Sequence, residues 1–146
     1  MSKNKNNKPV WSTRIKKSNS SLFTKVGSSI NIDKRLYKQD IKASIVHVEM
    51  LYKKKIIPLQ IKSKIIWGLN KILNEINKKK FTFNNQSEDI HMSIEIRLFD
   101  LIGEDAGFIL TARSRNDQVL VDFKLWMIEA SDDIIKEIDS TMKSII

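Results

Sequence analysis

Residues 111–119 read Thr-Ala-Arg-Ser-Arg-Asn-Asp-Gln-Val, the densest polar cluster in the chain. A pattern of helical period begins at about Ser114, so the cluster lies where a loop enters a helix. A helix N-terminus presents free N–H groups to anions. Arg113 and Arg115 add forked donors suited to carboxylates, and Asn116 offers both a donor and an acceptor. A small polycarboxylate fits such a site. A plain N-cap with flanking charges fits the same residues, and the two readings stay open at this level. Other chemistries are excluded. The chain has no Cys, which removes disulfide frameworks, Cys-based zinc sites and a Cys nucleophile. Its imidazoles are His47 and His91 alone, too few for a His-rich metal centre.

The elements that must position the cluster are helices. The chain has 146 residues, 41% of them hydrophobic and 29% charged, which suits one domain with a real core. Gly and Pro number 4 and 2, too few for the turns of a sandwich or barrel. Residues 1–10 are polar and are expected to be disordered, and 11–33 read as an extended or irregular arm. The spacing of Ile41, Ile45, Val48 and Leu51 predicts a helix from Tyr37 to Lys55, broken by Pro58. A second is expected from Leu59 to Lys79, with Ile65, Leu69, Ile72 and Ile76 on one face. Phe81 to Gln86 reads as a loop. Ser87 is expected to cap a third helix carrying Ile90, Ile94, Leu98 and Leu101, which Gly103 ends. Residues 104–113 read as a second loop.

From Ser114 a single stripe (Val119, Phe123, Trp126, Ala130, Ile134, Ile138, Met142, Ile145) runs to the end. Such a helix is about 50 Å long, against a diameter of about 40 Å for a compact domain of this size. The stripe also meets no Gly, Pro or polar stop. An unfinished helix that self-associates is the expectation. No run of 18 apolar residues occurs, so neither a signal-peptide core nor a membrane span is expected.

The formal net charge is +9 and unevenly spread: 20 basic against 4 acidic residues in 1–80, and 6 against 13 in 81–146. A basic chain suggests nucleic acid. Two features argue against it. Lys outnumbers Arg by 21 to 5, whereas base recognition favours the planar fork of Arg. Ile and Asn, which share A/T-rich codons with Lys, number 23 and 11, so codon drift accounts for much of the Lys excess.

The Thr111-to-Val119 segment closely resembles the signature of the argininosuccinate lyase family, in the fumarase/aspartase superfamily. Other segments follow in the same order. Gly27-Ser28-Ser29-Ile30 with Asp33 resembles the family's early substrate loop. Asp40 to Ser44 and His47 to Leu51 resemble its first long helix. Glu88-Asp89-Ile90-His91 with Ile94-Glu95, then Asp122 and Leu125-Trp126, continue the match. Two departures stand out: Trp11-Ser12-Thr13-Arg14-Ile15 replaces a usual Trp-Gly-Gly-Arg-Phe, and Leu110 replaces a frequent His.

The resemblance implies an all-α fold: an N-terminal lyase domain over 11–113, with 114–146 as the start of a central helical bundle that continues beyond this chain. It implies β-elimination of argininosuccinate to arginine and fumarate, in a homotetramer without metal or organic cofactor, and a cytoplasmic location. No nucleic-acid or membrane partner is implied. The catalytic segments have no counterpart here, so no catalytic base is expected within these residues. Ser29, Asn116, Arg113 and Arg115 are the implied substrate-binding residues. Ser114, Asp117, Asp89 and His91 are expected behind them, Asp117 as a cap or an arginine's partner. Two other readings are a catalytically inactive lyase-like structural or interaction protein and a basic nucleic-acid module.

Overall fold

The computed structural model describes residues 27–83 and 87–145. The expected disordered start at 1–10 and the Trp11-to-Ile15 departure lie outside them. Among the described residues five α-helices follow in order, α1 (Ile30–Asp33), α2 (Tyr37–Lys53), α3 (Leu59–Asn77), α4 (Ile90–Ile102) and α5 (Arg115–Ile145), and no strand occurs. The expected all-α class is observed. The irregular arm needs correction at its end, because Ile30–Asp33 is a helical turn. The Ser29 carbonyl accepts from the Ile32 and Asp33 amides at 2.8 and 3.0 Å, and buried Ile30 anchors the turn.

The core lies between α2, α3 and α4. Ile41, Val48 and Leu51 from α2, Ile65, Leu69 and Ile72 from α3, and Ile90, Ile94 and Leu98 from α4 are all sealed from solvent. These are the faces that the periodicity predicts. The ends of α2 and α3 fall two residues earlier than expected, at Lys53 and Asn77. Lys55 and Lys79 have φ of 57° and 55°. The Ile56 amide reaches back to the Leu51 carbonyl and the Lys80 amide to the Glu75 carbonyl, at 2.9 and 2.8 Å. Both ends are therefore Schellman closures in which Lys holds the left-handed place usually given to Gly.

The start of α4 also differs. Asp89, not Ser87, is the N-cap, and its Oδ1 accepts from the Met92 amide at 2.6 Å. A carboxylate suits the positive end of the helix dipole better than a hydroxyl. Gly103 closes the helix with a φ of 71°, as expected. The supposed loop after it is a 3-10 helix over Gly103–Leu110. Ala106 and Ile109 are buried three residues apart, the repeat of that helix.

The long helix α5 packs on α2, but not chiefly through its apolar stripe. Its buried side chains are Gln118 and Asp122. Val119 and Phe123 are 41% and 47% exposed, and Ile134, Ile138, Met142 and Ile145 between 55% and 80%. Most of the predicted stripe faces away from the domain, although Trp126 and Ala130 on it are half-buried. None of the helices is long and apolar enough to cross a membrane among the described residues.

Gly68 marks the tightest helix contact. A Cβ there would lie 2.5 Å from Cδ1 of Leu98, which is fully buried and has little room to turn aside. Gly68→Val is expected to lower stability by about 2 kcal/mol through overpacking. Neighbouring Trp67 is 53% exposed, so Trp67→Ala is expected to cost less than about 1 kcal/mol. Urea denaturation of the two variants checks the contrast.

Candidate functional site

Three helices each bring a pair of polar residues four apart to one junction: Asp40 and Ser44 from α2, His91 and Glu95 from α4, Gln118 and Asp122 from α5. That spacing stacks two side chains on one helix face. His91 lies at the centre, 1% exposed. Its Nε2 is 2.9 Å from Oδ2 of Asp122, which is fully buried, and its Nδ1 is 3.4 Å from Oδ2 of Asp89. Burial alone would lower the imidazole pKa. The contacts with Asp122 and Asp89 outweigh that, with help from the Asp40 charge, and raise it to about 9. His91 is an imidazolium at neutral pH: its Nε2 donates to Asp122, while its buried Nδ1 makes an ion-pair contact with Asp89 and no hydrogen bond.

Asp40 completes the junction. Its Oδ1 accepts from Gln118 Nε2 at 2.6 Å and lies 3.8 Å from the Arg113 guanidinium. Burial pushes its carboxyl up to about 6, against the opposing charge of His91. Asp40, His91 and Asp122 present donor atoms within 4.8 Å of one another, a spacing that invites a metal reading. The charge arrangement favours a proton instead. Nε2 carries the hydrogen bond to Asp122, and His91, Arg113 and Arg115 already offset three of the four carboxylates Asp40, Asp89, Glu95 and Asp122.

The two arginines of the motif are held from within. Arg115 forms a fork with Glu95 at 2.8 and 2.9 Å, donates to Gln118 Oε1 at 2.6 Å, and places Nε 3.3 Å from Asp89. Arg113 donates to Ser44 Oγ at 2.8 Å. Between the Thr111 carbonyl and these forks the chain turns sharply, with Ala112 at a φ of 54°, a left-handed conformation that an alanine seldom adopts. His47 Nε2 lies 3.0 Å from that carbonyl and donates to it. Burial and the Arg113 charge lower the His47 pKa, so it is neutral.

Ser114 is the cap of α5: its Oγ accepts from the Asn116 amide at 3.3 Å. The Asn116 side chain is thereby left at the exposed start of the helix. Asp117 is exposed and pairs with no arginine among the described residues, contrary to expectation. Ser29 is exposed on the other side of α4's start. Its amide donates to the Glu88 carbonyl at 2.8 Å, and its Oγ donates to Asp33 Oδ2 at 2.5 Å. Asp33 in turn accepts from the Ile90 amide at 3.1 Å. Ser29 and Arg115 thus both border Glu88-Asp89. Leu110, the departure from a polar residue, is 40% exposed.

Sequence reasoning passed over Asp40, Ser44, Glu95, Gln118 and Asp122 as site members. Their signal was three polar pairs at a spacing of four, each set into a helix otherwise read for its apolar face.

A family profile described as Lyase matches residues 13–146. The chain belongs to this lyase family. Among its relatives, the argininosuccinate lyase of Pelagibacter ubique strain HTCC1062 is 58% identical over 146 residues, which is all of this chain and 32% of that one. That of Chelativorans sp. strain BNC1 is 46% identical over 129 residues, 88% of this chain and 27% of its own. That of Bartonella bacilliformis is 43% identical over 137 residues, 94% of this chain and 29% of its own. The chain therefore spans about a third of the length of the curated relatives it matches. The all-α arrangement agrees with the N-terminal domain of the lyase superfamily.

The His91 charge has a measurable consequence. Its folded pKa of about 9 exceeds the ordinary 6.5, so its stabilisation is complete below pH 6.5 and is lost as pH rises through 9. The melting temperature is expected to fall between pH 6.5 and 9.5. His91→Gln, which removes the titrating group, is expected to start lower and to flatten this slope, as read by circular dichroism.

Proposed function

We propose that this chain supplies the substrate-binding N-terminal part of an argininosuccinate lyase, which eliminates fumarate from argininosuccinate to leave arginine. The observation that carries the reading is the convergence of the Ser29 turn and the start of α5 on Glu88-Asp89. It leaves one exposed hydroxyl and one exposed amide beside a helix N-terminus. A hydroxyl and an amide orient a polycarboxylate without adding charge. Arg113 and Arg115 lend positive potential to substrate carboxylates while Asp40, Ser44 and Glu95 brace them. Asp89 and His91 stand behind this surface.

The elimination removes a proton next to a succinyl carboxylate, and the guanidinium nitrogen leaves. The developing charge needs fixed donors around it. The proton acceptor comes from outside these residues. His91 is a buried imidazolium, and His47 is held on the Thr111 carbonyl. No metal or organic cofactor takes part in the proposed reaction. A homotetramer is part of this proposal, with the exposed apolar face of α5 as its seam, and so is a cytoplasmic location.

The test is a chimera in which this chain replaces the matching third of the Pelagibacter enzyme. Fumarate release, followed by absorbance, is expected from the chimera and not from the 146-residue chain alone. In the chimera Asn116→Ala should reduce kcat/KM by roughly ten- to 150-fold, the loss of one hydrogen bond to a charged group. Asn116→Asp should be worse, because it adds a negative charge facing carboxylates. Since Ser114 caps the helix, Asn116→Ala should leave the melting temperature nearly unchanged. A folded but inactive chimera, or a fully active Asn116→Asp, sinks the reading.

A further inference from the structure

Asp122 lies two turns into α5, is fully buried and touches no exposed surface of the site. Its Oδ2 accepts from His91 Nε2 at 2.9 Å. The other imidazole nitrogen faces Asp89, whose two oxygens cap α4 at Met92 and meet Arg115 Nε. A continuous polar chain therefore runs Asp122, His91, Asp89, Arg115 and returns to α5 one residue before Asn116. On its other side the same helix start holds Ser29, through the Glu88 carbonyl and through Asp33 on the Ile90 amide.

We infer that Asp122 is a positioning residue: by clamping His91 it registers the start of α5, and with it Asn116, against the Ser29 turn. The inference rests on the site proposed above, but the clamp itself is physical and separately measurable. Two features make Asp122 the decisive member. Gln118 and Asp122 are the fully buried side chains of α5, while its apolar Leu125, Trp126 and Ala130 are only half-buried, so the sealed contacts that fix the register of this helix on the domain are polar. A hydrophobic face tolerates sliding; a buried carboxylate and an imidazolium fit in one register, as a single buried polar pair does in a coiled coil. Asp122 also holds the one ring nitrogen that is hydrogen-bonded: Nε2 donates to Asp122, while the buried Nδ1 has no hydrogen-bond partner and lies at ion-pair distance from Asp89.

The charged groups acting on His91 are Asp122 on α5, Asp40 on α2 and Asp89 at the cap of α4; Arg113, Arg115 and Glu95, on the loop, α5 and the second turn of α4, pair with these carboxylates or with one another. Of these, Asp122 and Asp89 make the direct contacts. Removing the Asp122 charge without changing its shape should therefore release the proton and loosen the register together.

The test is nuclear magnetic resonance of the 146-residue chain, with labelled imidazoles and side-chain amides, titrated from pH 5.5 to 10. In the unmodified chain the His91 ring should remain protonated past pH 8. The Asn116 and Ser29 signals should move with the same midpoint. Asp122→Asn should bring that midpoint down by about one to three pH units, the usual effect of an opposite charge, and should displace the Asn116 signals already at pH 7. A purely structural role would lower the melting temperature while leaving the midpoint of the folded fraction in place. An unmodified His91 that titrates near its ordinary value overturns the inference. So does an unchanged midpoint in Asp122→Asn, or a His91 transition that the Asn116 signals do not follow. Should Asp122→Asn fail to fold, the unmodified chain decides by that last comparison. None of these readings needs turnover, so an inactive chimera would retire the lyase proposal and leave the clamp judged on its own.

Discussion

A positively charged imidazole has no place in a dry helical interior unless carboxylates surround it. Burial strips the ring of water and favours its neutral form; the contacts with Asp122 and Asp89 reverse that preference. His91 and Asp89 belong to the start of α4 and Asp122 to α5, so the imidazole is flanked by both carboxylates only when α4 and α5 are docked in one arrangement. Asp40 adds α2 to the same condition through Gln118. The arginines of the motif then close the arrangement from outside, by the fork to Glu95 and the bond to Ser44.

The molecule thus uses two kinds of adhesion. Between α2, α3 and α4 it uses branched aliphatic side chains, with Gly68 allowing Leu98 to approach closely. Between this core and α5 it uses buried polar groups. The first contributes stability in proportion to the apolar area removed from water. The second contributes less net energy, because desolvating charges is costly, but it distinguishes one register from another. A residue such as Asn116, whose value lies in where its amide points, depends on the second kind.

Much of this was legible in the chain before its fold. The apolar faces of α2, α3 and α4 follow from steps of three and four, and the motif at 111–119 marks the site by composition. Other features were not legible, for physical reasons. Two helices end in left-handed lysines, and no rule based on Gly would find them. The cap at Asp89 hid behind Ser87 because both residue types cap helices. The docking face of α5 was misread because an apolar stripe is the stronger periodic signal, while the face that is buried carries glutamine and aspartate. That the motif arginines turn inward to Glu95 and Ser44 depends on partners 20 and 69 residues away, which local reading does not reach.

The shallow attachment of α5 divides this one helix into two thermodynamic zones. Its first half is tied down as far as Glu129, which accepts from Gln39 at 2.6 Å. Every described residue from Ser131 to Ile145 is exposed, and the ion pairs there are the weak surface kind, Asp133 with Lys136 and Asp139 with Lys143. The second half is thus held by helix propagation from the first, in a segment rich in isoleucine, a mediocre helix former. In hydrogen–deuterium exchange this corresponds to a gradient and not a single step. Amides near Asp122 open only with the whole domain, and protection declines turn by turn toward Ile145, so one continuous helix reports both global unfolding and local fraying.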